Sequence, residues 1–217
     1  MIITALADLH GHLPNLPGGD VLIVAGDLTA RDRDGEYHAF IFWLSSQYYT
    51  TKLVIGGNHD NLLETKEVEI EHPICKNIHY LENSGIEING IKFWGFPYTS
   101  KFTGINPHCC AFTVDSDIDL QDKVDLISTD VDVLISHGPP KYILDQSRDG
   151  YNCGSVVLRE HIDKCIPRYF LCGHIHEQGG MTLLLKGAGP NTCCMNVSYV
   201  DENYKPRDEI RTFEVTL

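Results

Sequence analysis

The sequence lacks any run of about 18 or more apolar residues, the length that a membrane-spanning helix needs. Its apolar opening, Met1 to Leu6, is too short for the hydrophobic region of a signal peptide and runs directly into Asp8-Leu9-His10. We therefore interpret this opening as a first buried strand. A transmembrane helix is excluded on these grounds, no membrane partner is expected, and a cytoplasmic location follows by default.

Basic side chains are few. The 217 residues include 17 Lys and Arg against 30 Asp and Glu, which gives a formal net charge of -13 at pH 7. This balance works against a broad basic face, so long nucleic acids are not expected as partners. A small phosphorylated substrate, for instance a nucleotide, suits the charge better.

The eight cysteines lack the CxxC spacing of a zinc site. They are spread over a long chain and include two vicinal pairs, Cys109-Cys110 and Cys193-Cys194. Disulfide scaffolds are typically short secreted chains, so we expect reduced thiols here.

No internal repeat, low-complexity tract or linker divides the chain. With 42% hydrophobic and 22% charged residues, its composition is that of an ordinary globular protein, and it is long enough to bury a sizeable core. We expect one domain over residues 1–217. The sequence does not indicate an oligomeric state.

Short β-branched runs, each followed by a turn rich in Gly, Asp, Asn or His, predict buried strands. These runs are Ile2 to Leu6, Val21 to Ala25, Leu53 to Ile55, Val131 to Ser136 and Tyr169 to Cys172. An alternating segment from Ile86 to Phe96, centred on Asn89-Gly90, predicts an antiparallel hairpin. Further strands are predicted in the tail, over Met181 to Leu185, Met195 to Val200 and Thr212 to Leu217.

Helical spacing of apolar residues predicts an amphipathic helix from Glu36 to Tyr49. Its buried side is expected to hold Tyr37, Phe40, Ile41, Leu44 and Tyr48. A second helix is predicted from Gly154 to Cys165, and a less regular one from Asp119 to Ile127. Together these patterns predict an α/β protein with a mixed sheet and few helices.

Five segments place potential metal ligands directly after apolar strands. They are Asp8-Leu9-His10, Gly26-Asp27, Gly56-Gly57-Asn58-His59-Asp60, Ser136-His137-Gly138-Pro139-Pro140 and Gly173-His174-Ile175-His176. Ligands bind at the carboxyl ends of the strands in open α/β sheets, so these loops can converge although they are far apart in sequence. The adjacent glycines fit places where the backbone turns sharply and approaches a ligand.

The donors in these segments are carboxylate, imidazole and amide oxygen, with no cysteine. This set favours manganese, iron, zinc or similar ions in a reactive site over a structural zinc cage. The order D-x-H, GD, GNHD, HGPP and GHxH closely resembles the motifs of the calcineurin-like metallophosphoesterases, and it spans residues 8 to 176.

That resemblance implies a role for each matching position. Asp8, His10 and His176 hold one ion; Asn58, His137 and His174 hold the other; Asp27 bridges the two; and His59 faces the substrate as the catalytic residue. It also implies the fold, a four-layer α/β/β/α sandwich of two mixed sheets flanked by helices. The implied chemistry is attack of a metal-bridging hydroxide on the phosphorus of a phosphate ester.

Within the superfamily, the spacing resembles the compact brain-type metallophosphoesterases and the related class III cyclic nucleotide phosphodiesterases. Some members of that branch carry glycine where His174 stands, whereas this chain has the full ligand set. Two divalent ions are therefore expected, manganese first, with iron, zinc, nickel, cobalt and magnesium as alternatives. Small phosphodiesters, with cyclic nucleotides the first to test, are the expected substrates.

Two other functions are weighed. A phosphomonoesterase or protein phosphatase is less well supported, because the GDxxDRG motif of those enzymes appears here as Gly26-Asp27-Leu28-Thr29-Ala30-Arg31-Asp32 and GNHD replaces GNHE. A non-catalytic interaction scaffold usually lacks some of these ligands, and this chain retains all of them.

Four nearby features receive simpler interpretations. His12 is taken as a solvated loop residue, Asp60 as a helix cap, and Arg31 as a surface ion-pair partner. His108-Cys109-Cys110 imitates part of a metal site but has no partner at the required spacing.

Overall fold

The computed structural model describes residues 1–71, 76–101, 108–186 and 190–216. Its strands, in chain order, are β1 (Ile2–Leu6), β2 (Gly19–Ala25), β3 (Tyr49–Ile55), β4 (Ile78–Tyr80), β5 (Ser84–Ile88), β6 (Ile91–Phe96), β7 (Thr99–Ser100), β8 (Thr113–Val114), β9 (Val133–Ser136), β10 (Tyr169–Cys172), β11 (Thr182–Leu185), β12 (Thr192–Asn196) and β13 (Arg211–Glu214). Its helices are α1 (Asp34–Ser46), α2 (Asn61–Glu64), α3 (Gln121–Val124) and α4 (Val156–Cys165), with a 3-10 turn at His176–Gln178.

The strands form two large mixed sheets and one small pair. The first sheet has the order β13-β1-β2-β3-β4, in which β1 to β4 are parallel and β13 is antiparallel to β1. The second has the order β11-β12-β10-β9-β6-β5, with β12, β10, β9 and β6 parallel. In both sheets the central parallel strands therefore have their carboxyl ends along one edge.

Three apolar layers hold the architecture together. The first lies between the two sheets, where Ile23 and Ile55 of the first sheet share a cluster with Phe93 and Ile135 of the second. The second layer packs the other face of the first sheet against α1, and the third packs the other face of the second sheet against α3 and α4. The predicted four-layer α/β/β/α sandwich is confirmed.

Side chains on both faces of the sheets are apolar and buried. In β2, Val21 and Ile23 face the second sheet, while Leu22 and Val24 pack toward α1. Successive side chains of a strand point to opposite faces, so a continuous apolar run is needed when both faces are covered. None of the helices in the described part of the chain combines the length and apolar character needed to cross a bilayer.

Most predicted elements are present, with shifted ends. The bounds of β1 and β10 agree with the prediction, and the hairpin turns at Asn89 and Gly90, whose φ values of 51° and 79° are those the Asn-Gly turn requires. The predicted Met195 to Val200 strand was shifted, because β12 ends at Asn196. The helix predicted over Asp119 to Ile127 is reduced to α3, and Leu217 of the last predicted strand lies outside the described residues.

The prediction for the first helix was wrong at its carboxyl end. Helix α1 ends at Ser46, Gln47 is extended, and Tyr49 begins β3 by pairing with Gly19 of β2. The side chain of Tyr48 is 90% exposed rather than part of the helix core, and Trp43 takes a buried place instead. Pairing with a neighbouring strand overrides the helical spacing here, and local sequence does not encode that partner.

Candidate metal centre

The predicted ligands lie at the carboxyl ends of five parallel strands. Asp8, Asp27 and Asn58 follow β1, β2 and β3 of the first sheet, while His137 and His174 follow β9 and β10 of the second. The two sheets meet at this edge, where the backbone N–H of Ala7 donates to the carbonyl of Val197 at 2.9 Å. The loops therefore face each other across the gap between the sheets.

A first group of donors comprises Asp8, His10, Asp27 and His176, each offering one ligand atom within 4.8 Å of the others. Nε2 of His10 lies 3.3 Å from Nε2 of His176 and 3.6 Å from Oδ2 of Asp27. Nε2 of His176 is 3.6 Å from Oδ1 of Asp8. Four donors of this kind and separation are able to hold one divalent cation.

A second group forms around the amide oxygen of Asn58. Oδ1 of Asn58 lies 3.0 Å from Nε2 of His137 and 2.8 Å from Nδ1 of His174. Nδ2 of the same amide donates to the carbonyl of Cys109 at 3.3 Å, which directs Oδ1 toward the two imidazoles. The structure thus brings together the second set of predicted ligands.

Asp27 stands between the two groups. Its Oδ2 faces His10 of the first group, and its Oδ1 lies 3.4 Å from Nε2 of His137 in the second. The Asp27 carboxylate is 2% exposed. Each of its oxygens therefore faces a different donor group, as a bridging ligand requires.

The second group suits a cation for a specific reason. Nδ1 of His137 lies 3.0 Å from the carbonyl of Ala25, which can only accept, so this nitrogen carries a hydrogen. In the neutral ring, Nε2 then directs a lone pair at Oδ1 of Asn58, which is also an acceptor. A cation fits between two such lone pairs. Burial lowers the pKa of His137, but the carboxylates of Asp27 and Asp8 outweigh burial and raise it, so a cation held here would take the place of a proton.

The protonation states of four other ligands also favour cation binding. Burial lowers the pKa of His10 to about 4 and that of His174 to about 3, so both rings are neutral at pH 7. Burial raises the pKa of Asp8 and Asp27, but the surrounding histidines outweigh it and hold both carboxyls below their usual range. Neutral imidazoles and ionised carboxylates are the forms that coordinate metals.

His59 lies beside these donors. Its backbone N–H donates to Oδ1 of Asp27 at 2.9 Å, and its Nε2 is 3.9 Å from Oδ2 of the same carboxylate. Its ring stands edge-on to His10 at 4.7 Å between centroids, and its side chain is 22% exposed. Nε2 of His59 therefore points toward the centre from a position that solvent reaches.

The backbone of the loops is strained where it carries ligands. Asp8, His10, Asp27 and His174 all have positive φ, between 42° and 66°. Residues other than glycine seldom adopt this region, although Asp, Asn and His do so more often than most. Such conformations persist only where surrounding structure imposes them, and they concentrate at functional sites.

Two glycines show how tightly the loops pack. A Cβ added at Gly57 would lie 2.3 Å from Oδ1 of Asp27, and one added at Gly173 would lie 2.4 Å from Oδ2 of Asp8. Both distances are far below van der Waals contact. The adjacent glycines therefore allow the backbone to approach the carboxylates, as the sequence predicts.

Asp60 supports the first-sheet loops in a way that the sequence interpretation missed. Asp60 is the N-cap residue of α2, but its side chain makes no bond to the helix, so the capping role predicted for its carboxyl was wrong. Instead the buried carboxyl accepts from the backbone N–H groups of Asp27 at 2.9 Å and Gly57 at 2.8 Å. Burial and the nearby charge of Asp27 raise the pKa of Asp60 to about 8.

Asn196 supports the second-sheet loop, and Ser198 contacts Asp8 in the first-sheet loop. Nδ2 of Asn196 donates to the carbonyls of Ile175 at 2.9 Å and Gly173 at 3.4 Å. The Ser198 hydroxyl donates to Oδ2 of Asp8. Both residues are buried at the end of β12, and no sequence motif marks them, because single polar residues after a strand are common in loops.

An open cavity of about 520 Å³ adjoins His59. It is lined by Ala30, Arg31, Asp32, His59, Asn61, His108 and Cys109. The ring of Tyr204 stands 4.8 Å from His10 and 5.2 Å from His176, edge-on to both. His12 lies farther out, with Nε2 3.3 Å from the carbonyl of Tyr204.

Comparisons with known proteins agree with this geometry. Residues 1–178 match the family model described as calcineurin-like phosphoesterase. The chain is 32% identical over 240 residues to the UPF0046 protein T07D4.2 of Caenorhabditis elegans, covering 96% of this chain and 58% of that protein. It is 31% identical over 227 residues to metallophosphoesterase domain-containing protein 1 of Homo sapiens, covering 93% and 67%.

The chain therefore spans about three fifths to two thirds of the length of these relatives. A solved structure, TT1561 of Thermus thermophilus, superimposes with a TM-score of 0.62 at 16% identity, over 98% of this chain and 97% of that one. At this level of identity the likeness concerns the fold.

Proposed function

Because this chain belongs to the calcineurin-like phosphoesterase family, we propose that it is a hydrolase of small phosphodiesters that uses two divalent cations. The observation that carries the proposal is the position of Asp27, whose two oxygens face two separate donor groups at 3.6 and 3.4 Å. Manganese is the cation that we propose first.

The residues divide between the two cations. Asp8, His10 and His176 would hold one and Asn58, His137 and His174 the other, with Asp27 shared. When bound, a pair of cations lowers the pKa of a shared water, orients it for in-line attack and neutralises charge on the phosphoryl oxygens. The strained, closely packed loops keep these donors in place before substrate arrives.

His59 acts on the ester. As the bond between phosphorus and the departing oxygen breaks, that oxygen takes the electron pair and becomes negative. An N–H on Nε2 of His59 donates a hydrogen bond to this oxygen and stabilises the developing charge. The departing alkoxide then takes up a proton from solvent and leaves as the alcohol.

The cavity beside His59 supports a small substrate. At about 520 Å³ it has the volume of a site for a nucleotide-sized ligand. Arg31 lies in its lining, and we propose that its guanidinium contacts a phosphate of the substrate, the role that the sequence interpretation placed second to a surface ion pair. The net charge of -13 disfavours a long polyanion, and cyclic nucleotides are therefore the first substrates to test.

A substrate panel tests the proposal. Protein loaded with Mn²⁺ is given bis(4-nitrophenyl) phosphate, 4-nitrophenyl phosphate, 2',3' and 3',5' cyclic nucleotides and a phosphopeptide, and kcat/KM is measured for each. We expect the diesters to be preferred. Preference for 4-nitrophenyl phosphate or the phosphopeptide would identify a monoesterase instead, and metal-loaded protein inactive on every ester would favour the scaffold.

A further inference from the structure

The segment His108 to Ala111 packs against the loop that carries Asn58 and His59. The backbone N–H of Ala111 donates to the carbonyl of Asn58 at 3.2 Å, and Nδ2 of Asn58 returns a bond to the carbonyl of Cys109. Nδ2 of Asn61 donates to the carbonyl of His108 at 2.7 Å. His108-Cys109-Cys110, which resembled part of a metal site in sequence, is thus hydrogen-bonded to this loop.

Within this segment, the thiol of Cys109 contacts the ring of His59. Sγ lies 3.4 Å from Nδ1, and the residue is 8% exposed. Nδ1 is the ring nitrogen on the far side from the centre, since Nε2 is the one that approaches Asp27. Cys109 is therefore placed to act on one nitrogen of His59 while the other faces the substrate.

The chemistry of the two groups favours one direction for this hydrogen bond, from the thiol to the ring nitrogen. A thiol has one hydrogen to donate and is a weak acceptor, whereas a neutral imidazole has one nitrogen of each kind. Sγ of Cys109 is the partner of Nδ1 of His59 and carries the single hydrogen of the thiol. When S–H donates to Nδ1, the hydrogen of the ring stands on Nε2.

We infer that Cys109 is a positioning residue for His59, which donates its S–H to Nδ1 and so holds the ring hydrogen on Nε2, directed at the departing ester oxygen. This inference rests on the proposed function, because it explains how His59 presents the donor that the hydrolysis uses. It assigns a role to a residue that lies 50 positions away in sequence.

The kinetic test compares methyl 4-nitrophenyl phosphate with methyl phenyl phosphate. Both diesters keep the methyl group and differ only in the leaving group. Phenolate is the poorer leaving group, so its departure depends more on a donor. We expect Cys109→Ala to lower kcat for the phenyl ester about tenfold and for the nitrophenyl ester about twofold or less, with KM unchanged. Cys109→Ser retains a donor and should restore most of the loss.

Two matched variants separate positioning from packing. Cys110→Ala removes the neighbouring exposed thiol, whose Sγ is 3.9 Å from Oδ1 of Asn61, and should leave both esters unaffected. In a His59→Ala background, Cys109→Ala should have no further effect, because a residue that acts through His59 has nothing left to act on. An equal loss on both esters that serine does not restore, or a full further loss in the His59→Ala background, would overturn the inference.

A spectroscopic readout is independent of activity. In protein labelled with ¹⁵N-histidine and loaded with Zn²⁺, the His59 signals, assigned by their loss in His59→Ala, should show hydrogen on Nε2 in the wild type and a mixture of tautomers in Cys109→Ala. Identical spectra in the two proteins would contradict the inference. If the wild type hydrolyses no ester, the proposed function fails, and these spectra still decide whether Cys109 positions the ring.

Discussion

The two sheets contribute different donors to the candidate metal centre. Oxygen donors follow strands of the first sheet, in Asp8, Asp27 and Asn58. The second sheet contributes imidazoles, in His137, His174 and His176, and His10 is the imidazole that the first sheet adds. Neither sheet completes a donor group alone, so a cation held here would link the sheets at the edge where they meet.

The largest loss of activity is expected when the carboxylate shared by both donor groups is removed. We expect Asp27→Ala to lower kcat/KM about 10³-fold and to lose both ions, because each of its oxygens faces a different group. His137→Ala should lose one ion, since it removes an imidazole from the second group alone. Metal content by mass spectrometry and steady-state kinetics check this, with Asp122→Ala on α3 as an exposed carboxylate control. Two ions retained in Asp27→Ala would show that the donor groups do not share this residue.

Removing His59 separates metal binding from catalysis within the first-sheet loop that also carries Asn58. His59→Ala should lower kcat about 100-fold, because the departing oxygen loses its donor. Both ions should stay bound, since the predicted ligand of that loop is Asn58. Kinetics at saturating metal, together with metal content, measure the two effects. Loss of an ion in this variant would instead make His59 a ligand.

The link between the sheets predicts an effect on stability. A cation at 100 times its Kd stabilises the folded state by about 2.7 kcal/mol, provided that the unfolded chain does not bind it. For a chain of this size, that corresponds to a rise in Tm of about 5 to 10 °C. Thermal unfolding with Mn²⁺ and with a chelator measures the rise, which should vanish in Asp27→Ala. An unchanged Tm in the wild type would refute the link.

The smallest effects are expected for the residues that hold the loops. Asp60→Asn in the first-sheet loop and Asn196→Ala beside the second-sheet loop should each weaken metal affinity about tenfold, as loss of a supporting hydrogen bond typically does. The two residues support different loops, so their effects should combine to about 100-fold in the double variant. Calorimetric titration with metal measures all three. A double variant no weaker than either single one would show that the two loops act as one unit.

The carboxyl ends of the strands were the best predicted part of the fold. Glycine, Asp, Asn and His stop the apolar runs after β1, β2, β3, β9 and β10, and the structure ends each strand there. The starts of strands were predicted less well, because β3 begins at Tyr49, inside the aromatic stretch that resembles a helix. The local spacing of apolar residues does not encode which strand lies alongside. The neighbouring strand determines where pairing begins.

The supporting residues could not be predicted for a related reason. Asp60 looked like a helix cap because it precedes α2, yet its carboxyl accepts from backbone groups of other loops. Asn196 lies in a segment without a motif, and Cys109 lies in a cluster that only imitated a metal site. Their partners are 21 and 50 residues away. Hydrogen bonds of this kind exist only once the loops have come together.

The kinds of donor, their order and the family follow from the amino-acid sequence alone, because the motifs after the strands are local and need only the residues themselves. Which oxygen of Asp27 faces which imidazole, and which nitrogen of His59 faces the centre, depends on how the chain folds. Those relations depend on distances between residues such as Asn58 and His137, 79 positions apart. The packing of one sheet on the other sets such distances, and the burial that it imposes sets the protonation of the ligands.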